Sequence, residues 1–135
     1  MTPYELRRHT ADIAVFATGE DLGATFASVA DGLTAAHYEP ETTAGERFEL
    51  SVEASGLEAL LFDYLDELIY QRDVRAVLPA EHRVTVDRER LSLEASARGV
   101  PLSSIDAREI KAVTYSEMRL EETEDGWEAY VVFDV

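Results

Sequence analysis

The helix that decides the fold is predicted at residues 55–70, which read SGLEALLFDYLDELIY. Ser55 and Glu58 have the capping-box spacing, in which each side chain satisfies a backbone N–H at the start of a helix. One broad face is apolar and consists of Leu57, Leu60, Leu61, Tyr64, Leu65, Leu68 and Ile69. Acidic residues occupy the opposite face. Because such a stripe usually packs inside a domain, we expect it to form core rather than a partner-binding surface.

The chain before this helix is predicted to contain a strand, a helix and a second strand. Residues 12–16, DIAVF, form a short apolar strand that ends at Gly19. Asp21 can then cap a helix. The apolar residues of that helix recur at helical spacing: Leu22, Phe26, Val29 and Leu33. Residues 34–46 contain proline, glycine and several acids and are predicted as a loop, whereas alternation over residues 48–54 predicts a half-buried strand.

The second half of the chain is predicted to be all strand. Residues 84–86 and 91–95 pair as a hairpin across the polar tetrapeptide DRER at 87–90. Residues 100–106 are predicted as a loop. The remaining strands are predicted at 110–115, 118–120 and 127–133, with a turn at 124–126. This order predicts an α+β fold, a single compact domain over residues 1–135 with a largely antiparallel β-sheet and two main helices.

The composition is strongly acidic. The chain has 135 residues with 12 Lys and Arg against 28 Asp and Glu, a net charge of −16. Direct nucleic-acid binding is not expected, because its affinity comes from Lys and Arg on phosphates. No apolar run approaches the roughly 18 residues of a membrane span, and residues 1–10 lack the apolar core of a secretory signal. With no cysteine to form disulfides, these features predict a cytoplasmic protein without membrane association.

The sequence offers little support for an enzyme. His9, His37 and His82 are scattered along the chain. There is no Gly-x-Ser-x-Gly nucleophile elbow, no Gly-rich phosphate loop and no His-Glu-x-x-His metal-binding helix. A hydrolase with an unrecognised site is therefore the least supported function class.

Charged residues stand beside apolar strands in three segments: HTADIA at 9–14, EIKAVTY at 109–115 and VFDV at 132–135. Taken separately, Asp12 and Asp134 are more typical of solvated acids at strand ends. If the fold brings them together, their carboxylates and the terminal carboxylate of Val135 would form an oxygen-only cluster. Such a cluster suits a hard cation, Ca²⁺ or Mg²⁺, rather than zinc. The wide separation of the two acids in the sequence leaves their proximity open.

These segments resemble the archease family. The resemblance lies in HTADI at residues 9–13, in Gly19 before a helix, and in the helix at residues 60–70. It continues in EIKAVTY at 109–115 and in FDV at 133–135. It covers nearly the whole chain in order, and the lysine segment combined with the acidic C-terminus makes it specific.

The resemblance implies a small cytoplasmic protein that is not an enzyme but activates the GTP-dependent tRNA-splicing ligase. Such an activator helps the ligase to transfer GMP onto its active-site histidine and to turn over repeatedly. The family carries a divalent-metal site, usually described with calcium. Carried over to this chain, its ligands are the side chains of Asp12 and Asp134 and an oxygen of Val135, and the functional lysine is Lys111. The family often has histidine where this chain has Ser116, so no imidazole role is carried over.

A second function class stays open. A general chaperone-like or scaffold protein would use its acidic surface to bind several basic clients, with a metal that is only structural. Lys111 also has two interpretations. Its ammonium could contact an acidic group of a partner or a nucleotide, or it could form an ordinary surface salt bridge at the end of an extended side chain.

The charge balance generates a prediction about salt. The basic residues are eleven Arg and the single Lys111, which together with the acidic excess suggests adaptation to high salt. At about 1 M salt the screening length falls to roughly 3 Å, so repulsion between acidic side chains weakens. We predict a thermal midpoint several degrees higher in molar KCl than in dilute buffer, measured by circular dichroism. Equal midpoints would identify an ordinary acidic protein.

Overall fold

The computed structural model describes residues 3–9, 12–37, 45–104 and 110–135. Two α-helices lie at Leu22–His37 (α1) and Leu57–Arg75 (α2). The strands are Tyr4–His9 (β1), Asp12–Gly19 (β2), Arg47–Glu53 (β3), Val77–Asp87 (β4), Ser92–Pro101 (β5), Ala112–Thr123 (β6) and Gly126–Asp134 (β7). Neither helix in these ranges is both long and apolar enough to cross a membrane.

The strands form two separate sheets. A four-stranded sheet has the order β1-β2-β7-β6, and a three-stranded sheet has the order β3-β5-β4. Every neighbouring pair in both sheets is antiparallel. The prediction of an α+β fold with antiparallel sheet and two main helices is therefore confirmed.

Both helices pack against both sheets. Helix α1 contacts β2 and β4, and α2 contacts β6 and the strands of the three-stranded sheet. Phe26 of α1, Tyr64 of α2, Leu93 of β5 and Phe133 of β7 belong to one buried cluster. The rings of Phe26 and Tyr64 stack with centroids 6.4 Å apart. Burying side chains of this size stabilises the fold by about 1.5–3 kcal/mol each.

Helix α2 has the predicted apolar face but not the predicted cap. Each predicted apolar residue from Leu60 onward is buried. The helix begins at Leu57 with Gly56 as its N-cap, and no side chain caps it. The capping box is wrong because Ser55 lies one residue before the N-cap position. Tyr70, the last residue of the predicted helix, is 57% exposed.

Helix α1 is capped as predicted but runs further than predicted. The backbone N–H of Ala24 donates to Asp21 Oδ1 at 2.8 Å. The loop predicted from residue 34 starts too early, since Thr34 is a buried helical residue. Its hydroxyl lies 3.0 Å from the carbonyl oxygen of Ala30 and 2.7 Å from that of Pro79. The rest of the predicted loop at residues 38–44 lies outside the described residues.

The predicted β4–β5 hairpin is present, with Val84 opposite Ala95 and Val86 opposite Leu93, although Leu91 lies in the turn and not in the strand. Strand β5 continues to Pro101, so the loop predicted from residue 100 begins later than expected. Residues 105 and 106 of that predicted loop lie outside the described part of the chain. Strand β1 was not predicted, because its alternating apolar residues are few.

A buried polar cluster joins α1 to β4. His82 Nε2 lies 2.7 Å from Thr34 Oγ1. If the Thr34 hydroxyl donates to the Pro79 carbonyl, Nε2 must donate to Thr34, which leaves Nδ1 as an acceptor. Burial lowers the pKa of His82 to about 3, assisted by the charge of Arg47 and opposed by the Pro79 carbonyl. Burial raises the pKa of Asp31 to about 6, opposed by a hydrogen bond from the His82 backbone.

These two groups oppose one another in the pH dependence of stability. The folded protein holds a proton at Asp31 from pH 3.8 to about 6 that the unfolded chain has released, so Asp31 lowers stability as pH rises through that window. His82 acts in the opposite sense, because between about pH 3 and 6.5 the unfolded chain binds the extra proton. The contributions of Asp31 and His82 therefore partly cancel in the native protein.

Replacing Asp31 by Asn removes one of the two contributions. We expect Asp31→Asn to match the native stability near pH 4 and to exceed it by about 1–2 kcal/mol near pH 7, after discounting for solvent screening of this half-buried group. Urea unfolding at fixed KCl across this pH range measures the difference. A difference between the two proteins that does not change with pH would show that Asp31 has no raised pKa.

Candidate functional site

The pairing of β2 with β7 brings two predicted site residues together. Asp12 lies directly opposite Asp134 in the antiparallel register. Such residues project from the same face of a sheet with Cβ atoms about 4.5–5.5 Å apart. The next pair, Ile13 and Phe133, contributes to the core. Since side chains alternate along a strand, Asp12 and Asp134 project from the outer face.

Lys111 is joined to the same place through its backbone. Its N–H donates to the carbonyl oxygen of Asp134 at 2.9 Å, just before Ala112 begins the β6 pairing with Asp134. The side chain of Lys111 is exposed. Val135 follows Asp134 and is 38% exposed. All four predicted site residues therefore lie at one end of the four-stranded sheet.

Arg72 supports this end of the sheet and was not predicted as a site residue. It is a buried cation on α2, and its Nη1 donates to the carbonyl oxygen of Ile110 at 2.8 Å. Ile110 is itself fully buried and immediately precedes Lys111. The spacing could have indicated that Arg72 is buried, since it lies four residues after Leu68 on the apolar face of α2.

The donor atoms at this end fit a hard cation. Two facing carboxylates and the main-chain oxygens of Val135 are oxygen ligands of the kind that Ca²⁺ and Mg²⁺ prefer. Over residues 3–9, 12–37, 45–104 and 110–135, no group of three or more His, Cys, Asp or Glu side chains could hold a metal. Among the described side chains, a cation here would therefore need main-chain oxygens and water in addition to the two carboxylates.

Ser116 and His9 are two further positions that bear on a role for imidazoles. Ser116, where the family often has histidine, is exposed, and its backbone N–H lies 3.2 Å from Thr114 Oγ1. It sits in an irregular part of β6, where the register with β7 shifts between Thr114 and Arg119. His9 lies opposite Asp12 in the β1–β2 pairing.

Comparison with known proteins places this arrangement in a family. The model of the Archease protein family (MTH1598/TM1083) matches residues 4–135. The chain belongs to the archease family. Protein archease of Methanosarcina acetivorans is 37% identical over 139 residues, which cover 98% of this chain and 95% of that protein. Protein archease of Thermococcus gammatolerans is 34% identical over 146 residues, which cover 100% of this chain and 100% of that protein.

Solved archease-type structures share the fold. The solution structure of Methanobacterium thermoautotrophicum protein 1598 has a TM-score of 0.82 and 27% identity, with 100% of both chains covered. The crystal structure of a Thermotoga maritima archease, described as a possible chaperone, has a TM-score of 0.68 and 24% identity. The matched region covers 97% of this chain and 98% of the Thermotoga maritima chain. This second likeness concerns the fold alone.

The facing acids predict a stability effect that needs no partner. Like charges directly opposite on neighbouring strands destabilise a sheet. With a chelator present, we expect Asp134→Asn to raise the free energy of urea unfolding by about 0.2–1 kcal/mol. Glu124→Gln, in the exposed β6–β7 turn, removes the same charge without a facing strand residue and should change stability less. A destabilised Asp134→Asn protein would show that this carboxylate makes a net favourable contact.

Proposed function

We propose that this chain is a non-catalytic protein cofactor that activates the GTP-dependent tRNA-splicing ligase. It would promote guanylylation of the ligase and its repeated turnover, and it would bind a divalent cation, calcium, through Asp12, Asp134 and Val135. The observation that carries this proposal is the register that sets Asp12 against Asp134, with the Lys111 backbone bonded to Asp134.

The residues of the site have distinct roles in this proposal. The carboxylates of Asp12 and Asp134 bind and orient the cation, which supplies positive charge near phosphate oxygens when it is bound. Lys111 provides a second positive charge beside it, directed at an acidic group of the ligase or at the nucleotide. Transfer of GMP to a histidine is a phosphoryl-type reaction that depends chiefly on positioned charge. An accessory protein can therefore accelerate it without contributing a nucleophile.

Two hydrogen bonds hold the backbone around Lys111 in place. The buried Arg72 guanidinium holds the Ile110 carbonyl, and the Lys111 N–H holds the Asp134 carbonyl. Removing one partner of a buried charged group is costly, so this segment is held firmly. A site whose backbone is already ordered loses less entropy when a partner docks.

The acidic surface fits a protein partner better than RNA. The net charge of −16 opposes direct contact with phosphates. Asp63 and Asp66 on α2 are exposed and can steer a basic surface of the ligase toward this chain. In this proposal the chain acts in the cytoplasm on the ligase and does not contact RNA itself.

The test is guanylylation of the purified ligase by GTP, alone and with substoichiometric amounts of this chain. We expect multiple turnovers with the native chain and a loss of most of this stimulation in Asp12→Ala, Asp134→Ala and Lys111→Ala. Calorimetric titration with Ca²⁺ should show weakened binding in the two aspartate variants. Lys111→Ala should retain Ca²⁺ binding, because Lys111 is not among the proposed ligands.

Matched controls separate a local effect from a general loss of charge. Glu124→Ala and Arg90→Ala remove an exposed acid and an exposed base in turns of the two sheets, and both should stimulate normally. Stoichiometric help that is insensitive to the three site changes would support the chaperone-like or scaffold function instead. Hydrolytic activity without any ligase would contradict a non-catalytic role.

A further inference from the structure

A cluster of three arginines lies on the three-stranded sheet, away from the candidate site. The chain has only 12 Lys and Arg, and three of them, Arg47, Arg83 and Arg98, meet on this sheet. Arg47 lies directly opposite Arg98 in the β3–β5 pairing. Arg83 lies opposite Ser96 in the β4–β5 pairing. Ser96 is the next outward-facing residue of β5 after Arg98. The register itself therefore assembles the cluster.

Two of these arginines share one carboxylate. Glu81 forms ion pairs with Arg98 and, at 3.6 Å, with Arg47 Nη2. Arg47 Nη1 donates to Ser96 Oγ at 2.9 Å, whereas its buried Nη2 has no hydrogen-bond partner. Arg83 is exposed and makes no hydrogen bond or ion pair with any described residue. Three guanidinium groups against Glu81 and against Glu49, which shares the outward row of Arg83, leave one positive charge in excess.

The neighbouring positive charges act on Arg47. Burial lowers the pKa of Arg47, and the neighbouring Arg83 and Arg98 lower it further, with only partial compensation from Glu81. Like charges held together cost stability unless an anion joins them. In a chain with so few cations, such a concentration of arginine favours anion recognition, for which the planar guanidinium fork is well suited.

One of the three arginines, Arg83, lines an open cleft on the sheet, and Arg98 borders the cleft at the next outward position of β5 beyond Ser96. The cleft has a volume of about 410 Å³ and is lined by Glu49, Leu50, Ser51, Arg83, Thr85, Glu94, Ala95 and Ser96. Successive outward rows of the sheet change from basic to acidic. Arg47 and Arg98 form the first row, Glu49, Ser96 and Arg83 the second, and Ser51, Glu94 and Thr85 the third. The surface is therefore more basic towards Arg98 and more acidic towards Glu94, which suits a ligand that is anionic at one end and carries hydrogen-bond donors at the other.

We propose that this cleft binds a small organic phosphate that carries hydroxyl groups. The phosphate oxygens accept hydrogen bonds from Arg83, Arg98 and the Ser96 hydroxyl, whose proton is free because its oxygen accepts from Arg47. The ligand hydroxyls donate to Glu49 and Glu94. This proposal does not depend on the proposed activation of a ligase, because Asp12, Lys111 and Asp134 lie on the other sheet.

The probes are inorganic phosphate, glycerol 3-phosphate and glycerol, each titrated into the full chain at a KCl concentration where circular dichroism shows it folded. Backbone amide NMR should show saturable shifts centred on β3, β4 and β5, with glycerol 3-phosphate binding more tightly than inorganic phosphate and glycerol not binding. Losing one charge-assisted contact costs about 1.5–3 kcal/mol, so Arg83→Gln should weaken glycerol 3-phosphate binding at least about tenfold.

Two further variants locate the ligand within the cleft. Arg90→Gln removes an exposed arginine from the β4–β5 turn, outside the cluster, and should leave the affinity nearly unchanged. Glu94→Gln should reduce the preference for glycerol 3-phosphate over inorganic phosphate. The absence of saturable binding by either phosphate at millimolar concentration would overturn the proposal. Equal losses in Arg83→Gln and Arg90→Gln would also overturn it, because binding would then follow overall charge and not this cleft.

Discussion

The antiparallel pairing of β2 with β7 is the constraint on which the rest of the structure depends. These are the two central strands of the four-stranded sheet, and they join residues 12–19 to residues 127–134. On the inner face the register sets Val15 against Val131, both fully buried. On the outer face it sets Asp12 against Asp134. A shift by one residue would turn every side chain to the other face, so core packing holds the two acids opposite each other.

Elements with strong periodic patterns could be predicted from the sequence. The apolar face of α2 and the β4–β5 hairpin follow from spacing alone. The failures occur where tertiary contacts decide the outcome. Thr34 begins a stretch whose composition predicts a loop. It is helical, because its hydroxyl lies within hydrogen-bond distance of buried carbonyl oxygens on α1 and β4. Ser55 has the spacing of a capping residue, but α2 starts after Gly56, which leaves Ser55 one residue outside the N-cap position.

The candidate site could be predicted only in part, for the same reason. Resemblance to the family indicated Asp12, Asp134 and Lys111, but no local pattern shows that they meet. Their proximity depends on strand order, a long-range property of the fold. The arginine cluster is still harder to predict from the sequence. Arg47, Arg83 and Arg98 stand on three strands with no shared motif, and only the two antiparallel registers bring them to one face.

The central claim is that facing carboxylates on β2 and β7 make one cation site. Paramagnetic Mn²⁺, a hard cation with oxygen preferences like those of Mg²⁺, reports directly on that position. Substoichiometric Mn²⁺ added to the labelled chain at high KCl should broaden the amide signals of Asp12, Lys111 and Asp134 together, and excess Ca²⁺ should restore them. Broadening confined to acidic turns elsewhere, with these three signals unchanged, would contradict the claim.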